Sequence, residues 1–127
     1  MKLAALFLLV LVPSLALAEN HLMDDKQTVT YDCAKDAATN IMGNDNVIVL
    51  KGECDTVNIS GNANKITGER AKSVNVSGND NALALAVSGS VNLTGNRNTL
   101  AWKKASAKDA GPKINIAGKD NKVEATK

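Results

Sequence analysis

Apolar and polar residues alternate with period two in five short stretches that align without internal gaps: TNIMGNDNVI from Thr39, VNISGNANKI from Val57, VNVSGNDNAL from Val74, VNLTGNRNTL from Val91 and INIAGKDNKV from Ile114. The shared pattern is apolar (Thr39 once), Asn, apolar, small (Met42 once), Gly, two variable positions, Asn, one variable position, apolar. β-Branched residues at alternate positions, as in Val57-Asn58-Ile59-Ser60, predict a strand whose Val and Ile face inward. Gly-x-x-Asn then interrupts the alternation, which resumes at Ile66 and its equivalents. Gly and Asn tolerate left-handed backbone angles at little cost, so the interruption reads as a tight corner between two strands.

The glycines Gly43, Gly61, Gly78, Gly95 and Gly118 are spaced by 18, 17, 17 and 23 residues. A step of that size is one coil of a solenoid and too short for helical-hairpin repeats of about 33 residues. The expected fold is therefore all-β: a short, single-domain parallel β-solenoid of about five rungs, 17–18 residues each, stacked at roughly 4.8 Å. Stacking places Val57, Val74, Val91 and Ile114 in one inward column. Ile59, Val76, Leu93 and Ile116 form a second, with Ile48, Ile66, Leu83, Leu100 and Val123 facing them. Each fully buried aliphatic contributes roughly 1.5–3 kcal/mol, so these columns are the expected core. The corner residues Asn46, Asn64, Asn81, Asn98 and Asn121 are expected to stack as an amide ladder. The six extra residues of the last interval are placed in a loop extruded between Ala101 and Lys113.

The start of the chain follows a different pattern. Lys2, an apolar run from Leu3 to Val12, a Pro13-Ser14 break and Ala16-Leu17-Ala18 read as a secretory signal peptide over residues 1–18, cleaved before Glu19. The run is shorter than the roughly 20 apolar residues of a membrane anchor. Residues 19–38 are read as an N-terminal cap segment and 39–127 as the solenoid repeats. The exported product is expected in a periplasm or outside the cell, with no membrane span. The 15 Lys and Arg fall to 14 once Lys2 leaves, against 13 Asp and Glu, a balance that gives no case for nucleic acid. With Phe7 gone, Tyr31 and Trp102 are the only aromatics, so burial must rest on many small aliphatics.

Cys33 and Cys54 are the two cysteines of a chain bound for an oxidising compartment, and their phases on consecutive coils predict a disulfide. QTVTYDC, residues 27 to 33, is read as an entry strand with Val29, Tyr31 and Cys33 on one side, stapled to the first coil as a cap.

The leader, Gly52-Glu53-Cys54 and the recurring V-x-V-S-G-N-x-N units together resemble an exported bacterial family catalogued as domain of unknown function 3060, over roughly residues 39 to 123. The resemblance implies export and a β repeat and carries no activity. Strand, G-x-x-N arc, strand is also similar to curli-type fibre subunits. Those repeats are rich in glutamine ladders, whereas this chain carries Lys, Asp and Glu instead.

Candidate chemistry is sparse. The residues before the corner asparagines are Asp45, Ala63, Asp80, Arg97 and Asp120. Alternate acids lie about 9–10 Å apart, too far to share a calcium ion whose oxygens sit at 2.3–2.6 Å, so Arg97 is read as separating like charges and no metal is expected. Asn40, Asn58, Asn75, Asn92 and Asn115 point outward as a second amide column, either a structural ladder or a surface for glycan hydroxyls. The N-x-S/T pattern at Asn58, Asn75 and Asn92 is generated by the repeat itself. Trp102, Lys103 and Lys104 beside the extruded loop are the candidate partner contact, weighed against Trp102 folding back over the core. His21, the only histidine, lies outside the repeats, so no nucleophile–base pair can be placed and neither catalytic residue nor cofactor is expected. The reading is a non-enzymatic envelope or secreted module with an unknown protein or glycan partner; self-association through the solenoid edges, as in a fibre subunit, is the alternative.

Overall fold

The computed structural model describes residues 20–126; the leader read from residues 1–18, with Glu19 and Lys127, lies outside them. Nine strands make up the described chain: β1 (Asn20–Leu22), β2 (Thr28–Asp32), β3 (Ala38–Ile41), β4 (Val47–Ser60), β5 (Lys65–Ser77), β6 (Ala82–Thr94), β7 (Thr99–Lys103), β8 (Lys113–Ala117) and β9 (Lys122–Ala125). All pairings are parallel. Parallel pairing follows from the corners, which deflect the chain without reversing it, so each segment meets its equivalent only after a full turn.

Two sides of the tube are continuous ladders. On the first, Thr39 pairs with Val57, Val57 with Val74, Val74 with Val91, and Val91 with Ile114. On the second, Val29, Ile48, Ile66, Leu83, Leu100 and Val123 follow one another. A third side is shorter and bulged, with register shifts between Leu50 and Glu53 and between Thr67 and Arg70. The five rungs read from the glycine spacing are all present, and a sixth level precedes them.

The segment read as a cap is itself a level of the solenoid. β1 pairs with β3 and β2 with β4, so Asn20–Val29 repeats Thr39–Ile48 position for position. The kinship is hard to see because both anchor residues are replaced, glycine by Asp24 and asparagine by Gln27. The entry strand does place Val29 and Tyr31 against the core and bury Cys33. The Cys33–Cys54 disulfide joins the first two levels, with Cα atoms 4.9 Å apart.

The inward columns are buried through the middle levels and open at the last. Val57, Val74, Val91, Ile59, Val76, Leu93, Ile48, Ile66, Leu83 and Leu100 are buried. Ile114 and Val123 are half-buried and Ile116 is 48% exposed, because no described residues form a level on their C-terminal side. A further column runs Tyr31, Leu50, Gly68, Leu85, Trp102 and Ala125, so one aromatic of the described chain stands at its first level and the other one level before its last. Burial raises the Tyr31 phenol above its ordinary value. β7 continues to Lys103, two residues beyond the predicted start of the loop, which therefore spans 104–112.

Candidate functional site

Three amide ladders run the length of the tube, and the corner is built from two of them. Asn46, Asn64, Asn81 and Asn98 are buried. The backbone N–H of Asn64 donates to Oδ1 of Asn81 at 3.0 Å, that of Asn81 to Asn98 at 3.1 Å, and that of Asn98 to Asn121 at 2.9 Å. Their Nδ2 atoms turn back to the preceding level, Asn64 to the Gly43 carbonyl and Asn81 to that of Gly61, both at 2.9 Å. The corner asparagine thus satisfies backbone groups that the bend removes from strand pairing. Asn46 Nδ2 is buried without a partner, and the level before it is the one where Asp24 replaces the glycine.

The second ladder escaped the sequence reading, which treated the position after glycine as variable. Asn44, Asn62, Asn79 and Asn96 stack there, each giving its backbone N–H and Nδ2 to Oδ1 of the residue one level before it. Asn at four of the five positions was the available signal. The ladder begins at Asp25, whose Oδ1 accepts both groups from Asn44, and ends at Lys119, whose backbone N–H donates to Asn96.

Positive φ falls on the corner glycines as expected at Gly61, Gly78, Gly95 and Gly118, at 122–151°, but not on the corner asparagines. Asp45, Ala63, Asp80, Arg97 and Asp120 adopt φ of 55–58°, as does Lys26 at 56°, while the corner asparagines do not. Asparagine is held there by its hydrogen bonds, and the preceding residue absorbs the turn. Glycine is required by close approach: a Cβ at Gly61, Gly78, Gly95 or Gly118 would run onto the carbonyl oxygen of the glycine one level earlier, and one at Gly43 onto that of Asp24.

Along the left-handed column Arg97 binds Asp80 through Nε and Nη2 at 2.7 and 2.8 Å, the separation of like charges that the alternation predicted. The Arg97 hydrogen bond holds the Asp80 carboxyl below its ordinary value. Lys72 pairs with Asp55 and Arg70 with Glu53 on the third side, and the Asp55 hydrogen bond raises the Lys72 ammonium. Among the described residues no group of three His, Cys, Asp or Glu side chains is placed to hold a metal.

The third ladder forms one side of the tube. Asn58 donates through Nδ2 to Asn40, Asn75 to Asn58, Asn92 to Asn75 and Asn115 to Asn92, at 2.8–2.9 Å. The N-x-S/T asparagines Asn58, Asn75 and Asn92 are therefore half-buried rungs of this ladder. Thr56, Ser73 and Ser90 lie on one flank and exposed Ser60, Ser77 and Thr94 on the other, so three successive levels present hydroxyl, amide, hydroxyl without a charge. A shallow depression of about 310 Å³ follows this side from Asn58 to Thr94. His21, exposed on β1, stands in register with Asn40 at the head of the column.

Of the candidate contact residues, Trp102 packs half-buried against the core, with Gly111 of the loop lying on its ring. Lys103 and Lys104 are exposed and border a groove of about 630 Å³ with Glu53, Glu69 and Arg70. Arg70 reaches across it to the Ala105 carbonyl at 3.1 Å, while Glu69 accepts from the Gly52 N–H at 3.2 Å. The groove thus mixes both signs of charge. No helix among the described residues is long and apolar enough to cross a membrane.

No curated protein and no solved structure matches the chain significantly. Residues 41–88, from the second level to the fourth, match the family DUF3060, described as a protein of unknown function, which supports the resemblance drawn from the Gly-Asn repeats.

Proposed function

We propose that this protein is an exported, non-enzymatic module of the cell envelope or its surroundings that holds a partner against the uncharged side of the tube, and that the partner is a neutral, hydroxyl-rich polymer such as a cell-wall glycan. The observation that carries this reading is the sorting of charge. Glu53, Asp55, Arg70 and Lys72 lie on the third side and Asp80 and Arg97 at the corner, leaving the Asn58–Asn75–Asn92 side neutral across three levels. Each amide spends one N–H on the ladder and keeps another free, while Ser60, Ser77 and Thr94 add one exposed hydroxyl per level. The ladder fixes the amides beforehand, so little side-chain entropy remains to be lost on binding. Without an aromatic platform each contact is weak, and affinity must accumulate along an extended chain.

The test is co-sedimentation with insoluble cell-wall polysaccharide. Retention should persist at high salt, because no ion pair contributes. Ser77→Lys together with Thr94→Lys, both at exposed positions outside the amide ladder, should abolish retention and leave the circular dichroism unchanged. Absence of retention by the unaltered protein refutes the reading.

A further inference from the structure

The first and last levels of the tube are chemically matched to each other. If the last level of one copy lay in register beneath the first level of the next, Ile116 would face Leu22 and Val123 would face Val29. Lys119 would face Asp25 and Asp120 would face Lys26, because these residues share columns through the stack. One of these columns already contains such a pair: Asp80 at the fourth level holds Arg97 at the fifth, acid before base along the chain direction. Asp120 followed by Lys26 would repeat that order. The apolar seal would be completed as well, since Ile116 is 48% exposed in the last described level.

One residue stands against this union. Every other corner carries glycine where a Cβ would strike the carbonyl of the level before it. Asp24 occupies that place in the first level, whose corner otherwise follows the pattern: Lys26 has the left-handed φ of 56° and takes the Asn44 carbonyl at 2.9 Å, just as Asp45 takes that of Asn62 at 3.0 Å. In an incoming stack the Asp24 side chain would meet the Gly118 carbonyl of the other copy.

We propose that the two ends form a head-to-tail interface for a second copy of this chain, and that Asp24 keeps them from joining, so that the protein is a monomer able to become a linear assembly by one substitution. This is independent of what the uncharged side binds.

The experiment is sedimentation velocity on the purified protein, Asp24→Gly, Asp24→Ala and the double variant Asp24→Gly with Lys26→Glu. The unaltered protein and Asp24→Ala, which retains a Cβ, should stay monomeric over a wide concentration range. Asp24→Gly should form chains that lengthen with concentration and shorten with salt, and adding Lys26→Glu should weaken their growth by about tenfold. Asp24 is exposed and glycine fills the equivalent place at five other corners, so the variant keeps the fold. Assembly of the unaltered protein, equal assembly of Asp24→Ala, or a strictly monomeric Asp24→Gly overturns the proposal.

Discussion

The two ends of this tube face the same physical problem and meet it differently. A stack of parallel coils exposes unpaired backbone groups and half a core wherever it stops. At the N-terminal end the Cys33–Cys54 disulfide fastens the first level to the second, Leu22 is buried, and acceptor-only Asp25 starts the amide ladder. At the C-terminal end there is no covalent tie. Ile114 and Val123 are half covered, Ile116 is largely open, and protection comes from Trp102 with its loop and from Lys113, Lys119, Lys122 and Glu124. The contrast teaches that one end is held mainly by cross-linking and the other by side-chain cover and charge, so they should yield to different perturbations.

The largest expected effect separates the middle of the stack from its open end. Gly95→Ala pushes a Cβ into the Gly78 carbonyl between two packed levels and should destabilise by about 4 kcal/mol or more, seen as loss of a cooperative thermal transition. Gly118→Ala makes the same collision with Gly95, but only the last level needs to fray. Chemical denaturation should then show well under half the loss, and equal losses would mean the C-terminal level is no softer than the middle.

Replacing both Cys33 and Cys54 by serine should cost roughly 3 kcal/mol, or a fall of about 12–20 °C in melting temperature. Hydrogen exchange should then find β1 and β2 opening before β8 and β9, the reverse of the native order. If β8 and β9 still open first, the disulfide is not what distinguishes the ends.

Trp102→Ala should destabilise by about 2 kcal/mol, since the half-buried indole packs against the core beside Leu85, one level from the unbraced end. Tyr31→Ala removes the ring at the first level of the same column, beside the disulfide, and should matter less. Reversal of that ranking would show that the loop, not the indole, covers the C-terminal end.

The smallest effect concerns charge. Asp80 is held below its ordinary value of 3.8, so its pairing with Arg97 contributes fully above that value and is lost as pH falls through the lowered folded value. Arg97→Gln should return the Asp80 carboxyl upward in an NMR titration and leave the melting temperature at neutral pH nearly unchanged, because the pair is exposed.

Much of this molecule was legible along the chain because its fold is a translation of one short unit. Period-two alternation fixed which aliphatics point inward, and the glycine spacing fixed the length of a turn. The columns of Val57, Ile59 and Ile48 follow from those two facts. The first level was missed for the reason that makes it an end: Asp24 and Gln27 abandon the two residues by which the repeat is recognised. The Asn44 ladder was missed because Lys119 breaks its repetition, so the position after glycine was read as variable.

The sequence by itself determined a parallel, disulfide-stapled stack with buried aliphatic columns, since periodicity, corner spacing and cysteine phase are local properties. Only the tertiary structure decided that the residue before each corner asparagine takes the left-handed turn, that Trp102 packs beside Leu85, and that Asp24 stands where every later corner has glycine. Each of these depends on distances between residues about one turn apart, and the stacking of levels alone sets those distances.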